Sequence, residues 1–151
     1  MNLLYSVWFM MIGSFFIQFV LMSLIMSNSI SNITFSVGKF YISVIMALLM
    51  GILEVFMHDS YGMAGSIYSS APYYLSLSFA LCVFLYLYRS QAYIYDKEYL
   101  EEMVEHHSMA LLTSEEIQQK TNNIRVKKLA ENIVTTQEAE INYMKQLIKS
   151  I

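Results

Sequence analysis

Three stretches of the chain are almost continuously apolar: LLYSVWFMMIGSFFIQFVLMSLIM (3–26), KFYISVIMALLMGILEVFM (39–57) and YYLSLSFALCVFLYLY (73–88). A helix needs about 20 apolar residues to cross a bilayer, and each run is near that length. Between them lie SNSISN and HDSYGMAGSIYSSAP, where Ser, Asn, Gly and Pro favour turns. Beyond the third run the pattern becomes amphipathic. Over 91–112, Asp96, Leu100, Met103, His107, Ala110 and Leu111 share one face, with Glu98, Glu101, Glu102 and Glu105 largely opposite, which predicts a helix that continues the third span. Thr113 followed by Glu116 is a capping-box spacing, so a pause and a short turn are expected as far as Lys120. The TNN sequence then offers an N-cap for a last helix over 124–148, with Val126, Ala130, Ile133, Gln137, Ile141, Met144 and Ile148 as its stripe. The expected fold is all-α, with three transmembrane helices in residues 1–89 and a C-terminal helical hairpin in 90–151.

Composition strengthens the membrane reading. The chain is 56% hydrophobic and only 14% charged, too apolar for an ordinary soluble domain of this length. Before Arg89 the only Asp, Glu, Lys or Arg residues are Lys39, Glu54 and Asp59. The first run lacks a basic leader and is too long for a signal peptide, so it is expected to remain as a span. The lone Cys82 excludes an intrachain disulfide and a CxxC metal site. With three spans, the first loop and the tail share one side and carry Lys39, Arg89 and Lys97, which the positive-inside rule would place in the cytoplasm. The expectation is a multi-pass integral membrane protein whose partners are the lipid bilayer and other copies of itself, with no nucleic-acid partner.

Polar residues within the spans fall at helical spacing. Met46, Met50, Glu54, Met57 and His58 form one face of the second run; Met11, Ser14, Gln18, Met22 and Met26 form one face of the first. A carboxylate at membrane depth is costly unless it faces the bundle interior or is paired, which singles out Glu54. Its expected partners are His58 at i+4 or the hydroxyls of Tyr73 and Tyr74. The face reads either as packing, with Met filling gaps and Gln18 bonding between helices, or as a thioether and carboxylate path for a soft cation.

In the tail, Met103 and His107 are i,i+4 neighbours, and His106 and Met109 are i,i+3 neighbours on the next strip. Each pair brings an imidazole nitrogen near a thioether sulfur, and Met144 and Gln137 of the last helix can approach the first pair. Such a soft, neutral set favours copper(I) over zinc or iron. The residues three before His106 and His107 are Met103 and Val104, so the Glu-x-x-His repeat of a di-iron bundle is missing; HExxH and nucleophile motifs are absent too, and nothing in the sequence argues for an enzyme. A hairpin of about sixty residues is too small to hold a core alone, and a second copy completing a four-helix bundle is the simplest remedy.

The segments RSQAYIYDKEYLEEMVEHHSMALL and LAENIVTTQEAEINYMKQLIKSI resemble the DUF305 family, whose signature is Met-x-x-His-His-x-x-Ala and then Ile-x-x-x-Gln-x-x-Glu-Ile-x-x-Met. Those positions are here Met103, His106, His107 and Ala110, then Ile133, Gln137, Glu140, Ile141 and Met144. The resemblance implies ferritin-like helical packing and, from exported members associated with copper binding, a copper ion held near the double histidine. Such export conflicts with the cytoplasmic placement above. On this reading Met103, His106, His107, Met109 and Met144 are the metal ligands, and Gln137 and Glu140 accept from imidazole N–H groups. The competing reading makes His106, His107, Gln137 and Glu140 a metal-free hydrogen-bond network that sets the register of the bundle.

Overall fold

The computed structural model describes residues 2–61 and 67–151, with side chains over 2–61 and 70–151. The elements are α1 (Leu3–Phe16), a π-helical turn (Ile17–Leu21), α2 (Met22–Met26), a 3-10 turn (Ile30–Asn32), α3 (Val37–Ser60), α4 (Ile67–Arg89), α5 (Asp96–Lys120) and α6 (Ile124–Ser150). The fold is all-helical, with no strand among the described residues. Three segments are long and apolar enough to cross a membrane: Leu3–Met26, Val37–Ser60 and Ser70–Arg89. The chain packs as two compact units, Met1–Leu21 with Lys39–Ala92 and Met22–Gly38 with Tyr93–Ile151.

The first unit is built on α3. Its buried residues include Ser43, Ala47, Gly51 and Val55, a stripe of small and β-branched side chains four apart. Without a hydrophobic drive between helices in lipid, small residues let backbones approach and gain dispersion contacts. Gly51 is one such close approach: a Cβ there would lie 2.9 Å from Met11 Cγ of α1 and 3.5 Å from Leu77 Cδ1 of α4. Large apolar side chains point outward instead, among them Phe9, Leu75 and Phe79, each at least 73% exposed. Buried Tyr41 meets Phe84 with ring centroids 6.2 Å apart and donates its hydroxyl to the Ala92 carbonyl at 2.9 Å.

The expected methionine and carboxylate face lies beside this interior. Met46 and Met57 are exposed and Met50 and Glu54 half-buried, because the interior is taken by the small-residue stripe about a quarter-turn away. Glu54 accepts from Ser6 Oγ of α1, and the structure gives it no bond to His58, Tyr73 or Tyr74. Asp59 takes the contacts expected of Glu54: it accepts from Ser70 at 2.6 Å and from the Tyr74 hydroxyl at 3.2 Å, with His58 Nδ1 3.7 Å away. These bonds hold the first turns of α4 in place through Pro72, so the helix starts earlier than its apolar run. On α1 and the turns after it, Ser14, Gln18 and Met22 are half-buried and Met26 is exposed. Met22 and Met26 pack in the second unit, beyond the wide π turn that holds Gln18 and breaks the regular phase of this face.

The third span does not run on into the tail. At the end of α4, Ala92 N–H donates to the Leu87 carbonyl at 3.0 Å and Gln91 N–H to Tyr88 at 3.1 Å, with Gln91 at φ 52° and Tyr93 at φ 59°. This is a Schellman-type stop in which Gln replaces the usual glycine, so the commonest sequence signal is missing.

In the second unit α5 and α6 form an antiparallel hairpin around Val104, Leu111, Ile141 and Met144, with Leu100, Met103, Val134 and Ile148 packed against them. The pause expected at Thr113 does not occur. Its hydroxyl bonds back to the carbonyls of Met109 and Ala110, both at 3.2 Å, which satisfies the side chain within a continuous helix while Leu111 and Ser114 stay buried. The expected cap of the last helix does form: Asn123 Oδ1 accepts from Arg125 N–H at 2.9 Å and Val126 N–H at 3.3 Å.

Candidate functional site

The double histidine lies on α5 at the edge of its buried arc. That arc runs from Ser114 through Leu111, Val104 and Ser108 to Glu105, and Met103 and His107 lie on either side of Ser114, about 60° to 100° from Val104 around the helix. His107 Nδ1 reaches across the hairpin to within 3.1 Å of Glu140 Oε2 on α6, close enough for an ion pair but outside hydrogen-bond geometry. His107 keeps 20% of its side-chain surface and Glu140 49%, so the pair sits at a wet boundary. Met144 is buried in the apolar core and Met103 packs against that core, which places both thioethers in one cluster.

The other expected residues are more dispersed. His106 is exposed, its ring centroid 6.4 Å from that of His107. Met109 and Gln137 are half-buried. Among the described residues no three of His, Cys, Asp and Glu come together as a metal site. A metal held here would depend on thioether donors.

The residues flanking the histidines do something the sequence pattern does not announce. Glu105, expected on the solvent side, is buried: Oε1 accepts from Ser23 Oγ at 2.5 Å and Oε2 from Thr34 N–H at 2.9 Å. Thr34 Oγ1 donates to the Glu101 carbonyl at 2.7 Å. Three residues on, Ser108 donates to Asn28 Oδ1 at 2.7 Å and accepts from Asn28 N–H at 3.0 Å, with Ser27 Oγ 2.6 Å away. Lys145 of α6 bonds Asn32 Oδ1, closing the same seam. Within the loop sequence SNSISNITFS, Ser27, Asn28 and Thr34 thus bond one face of α5, while Ser29 and Ser31 bond each other. The available clue was that density of short polar side chains facing a helix with Glu101, Glu105 and Ser108 at i, i+4 and i+7.

Glu102 lies beside this seam, and its carboxylate occupies the space a Cβ at Gly38 would need. Burial holds its pKa above the usual carboxylate value; nearby His106 works against that shift and Glu105 adds to it. On the exposed side of α5, Lys120 bonds Glu116 at 2.6 Å and lowers the pKa of that carboxyl.

A profile of the family described as "Domain of unknown function (DUF305)" matches residues 87–148. Over 140 residues the chain is 30% identical to "Uncharacterized protein L153" of Acanthamoeba polyphaga mimivirus, a match covering 92% of this chain and 88% of that protein. No solved structure matches the chain. The profile begins in the last turns of α4 and ends in the last turn of α6, enclosing the whole hairpin with both expected motifs, and the chain belongs to the DUF305 family.

Proposed function

We propose that this is an integral membrane protein whose C-terminal hairpin binds a soft metal ion, copper(I) by donor chemistry, for sequestration or transfer and not for catalysis. The observation that supports it best is the position of Glu140, 3.1 Å from His107 Nδ1, from which a turn of either side chain would make a hydrogen bond. Metal-ligating histidines almost always direct their second ring nitrogen at a carboxylate or carbonyl, which fixes the tautomer and leaves the other nitrogen to the metal. In this reading His107 Nε2 and the Met103 and Met144 thioethers are the ligands, and His106 with Met109 is an alternate pair. Gln137 supports the imidazoles from α6. A second copy covers α6, where Ile124, Leu129 and Tyr143 are exposed.

One observation favours the structural alternative. Met103 and Met144 already serve as core residues, and His107 with Glu140 ties α5 to α6 without help from a metal. Anaerobic copper(I) competition against a chromophoric chelator, on detergent-solubilised protein, separates the two. The metal reading expects about one ion per chain, lost in His107→Ala, and an affinity weakened about 10- to 100-fold in Glu140→Gln. Unchanged copper stoichiometry and affinity in His107→Ala would assign the histidines to packing, and an altered oligomeric state of that variant in metal-free detergent would support the register role.

A further inference from the structure

We propose that the C-terminal unit lies against the headgroup layer of the membrane, with Ile30, Phe35, Tyr93, Tyr95 and Tyr99 as its contact residues; this rests on the reading that the three apolar helices cross a bilayer. All five belong to the unit formed by Met22–Gly38 and Tyr93–Ile151, and all are exposed: Ile30 80%, Phe35 70%, Tyr93 71%, Tyr95 71% and Tyr99 53%. Large apolar and aromatic side chains held this open to water forgo burial free energy, whereas tyrosine is enriched where one end of the ring meets hydrocarbon and the other meets water.

Chain connectivity identifies the occupant of this surface. Ile30 follows the end of the first span at Met26 by four residues, Phe35 precedes α3 by two, and Tyr93 follows α4 by four. At about 3.5 Å of reach per extended residue, each Cα lies within roughly 14 Å of a span end, and Phe35 within about 7 Å. The polar layer on each side of the hydrocarbon is about 6 Å deep. Three separate entries therefore keep Ile30, Phe35 and Tyr93 inside that layer or within about 8 Å beyond it. The backbone adds a second reason. Tyr93 adopts φ 59°, a left-handed conformation that bulky residues avoid, and a side chain held outward at that cost is expected to gain something from its surroundings.

The test uses tryptophan as a depth reporter in full-length protein reconstituted into phosphatidylcholine vesicles. The lipids carry bromine near either the headgroup end or the methyl end of their acyl chains, and acrylamide reports access from water. Native Trp8, the single tryptophan and part of α1, reports on the spans; Trp8→Phe carrying Tyr95→Trp, or separately Phe35→Trp, reports on the proposed surface. Trp8→Phe with Gln119→Trp, exposed at the last turn of α5, is the control outside both that surface and α6. Quenching of the Tyr95→Trp and Phe35→Trp reporters by headgroup-end bromine should exceed that of the Gln119→Trp control about twofold or more, with weaker quenching by acrylamide. Quenching of both surface reporters by acrylamide and not by lipid would overturn the proposal. Shielding from both quenchers would overturn it in favour of a second copy covering the surface. If Trp8 itself is untouched by lipid bromine, the spanning reading fails and takes the proposal with it.

Discussion

The two units close their interiors by opposite means. The first buries a stripe of small side chains, Ser43, Ala47, Gly51 and Val55, and turns its phenylalanines and leucines outward. The second buries an ordinary apolar cluster and, beside it, a carboxylate and a serine bonded to a polar loop. The difference is the one expected between lipid and water as solvents. Among apolar surroundings hydrophobicity does not select an inside, so helix contact goes to whatever permits close approach. In water apolar burial does the selecting, and a buried charge is retained only with full hydrogen bonding.

Breaking the polar seam should have the largest effect. Glu105→Ala leaves Ser23 Oγ and Thr34 N–H without their acceptor, at a cost of about 3 kcal/mol, visible as early proteolysis between Met26 and Val37 and a lower melting temperature of the tail signal. Glu105→Gln, which keeps the shape and loses the charge, should cost about half of that. Overpacking the other unit comes next. Gly51→Leu pushes into Met11 and Leu77 and should destabilise the apolar helices by about 2 kcal/mol in detergent, leaving the tail's protease resistance unchanged.

A smaller, pH-dependent effect sharpens the contrast. The pKa of Glu102 is raised by burial, so the folded chain holds this proton more tightly than the unfolded chain does. Its contribution is present while the carboxyl is protonated and falls away as pH rises above the ordinary carboxylate range. Glu102→Gln should therefore flatten that decline in melting temperature towards neutral pH; an unchanged slope would show that Glu102 does not control it. Least affected should be Met46→Leu and Met57→Leu, exposed positions where stability should change by about 0.5 kcal/mol or less.

Much of the site was visible in advance, but its centre was displaced. Counting Met103 and His107 into the core stripe of α5 placed Glu105 opposite it; with the arc centred on Val104 and Ser108, Glu105 is its other edge. A helical pattern shows which residues share a face and leaves open which side neighbours will cover. For α5 the first loop made that choice, supplying on one side the surface that a lone hairpin lacks. Glu54 was similarly recognised as needing a partner, and that partner, Ser6, is 48 residues away in sequence.

The three long apolar helices, the Asn123 cap, the hairpin with its two facing motifs, and the stripe of Ala130, Ile141 and Met144 along α6 were legible in the order of residues. These depend on runs, spacings and local bonds that lie within one helix or one turn. Not legible from runs and spacings were the stop after α4, the unbroken course of α5 past Thr113, the small-residue interior of α3 and the burial of Glu105 and Ser108. The stop and the unbroken helix are settled by local bonds with more than one way of being satisfied. The other two depend on groups brought together from distant parts of the chain, where packing and hydrogen bonding favour one face over others of similar pattern.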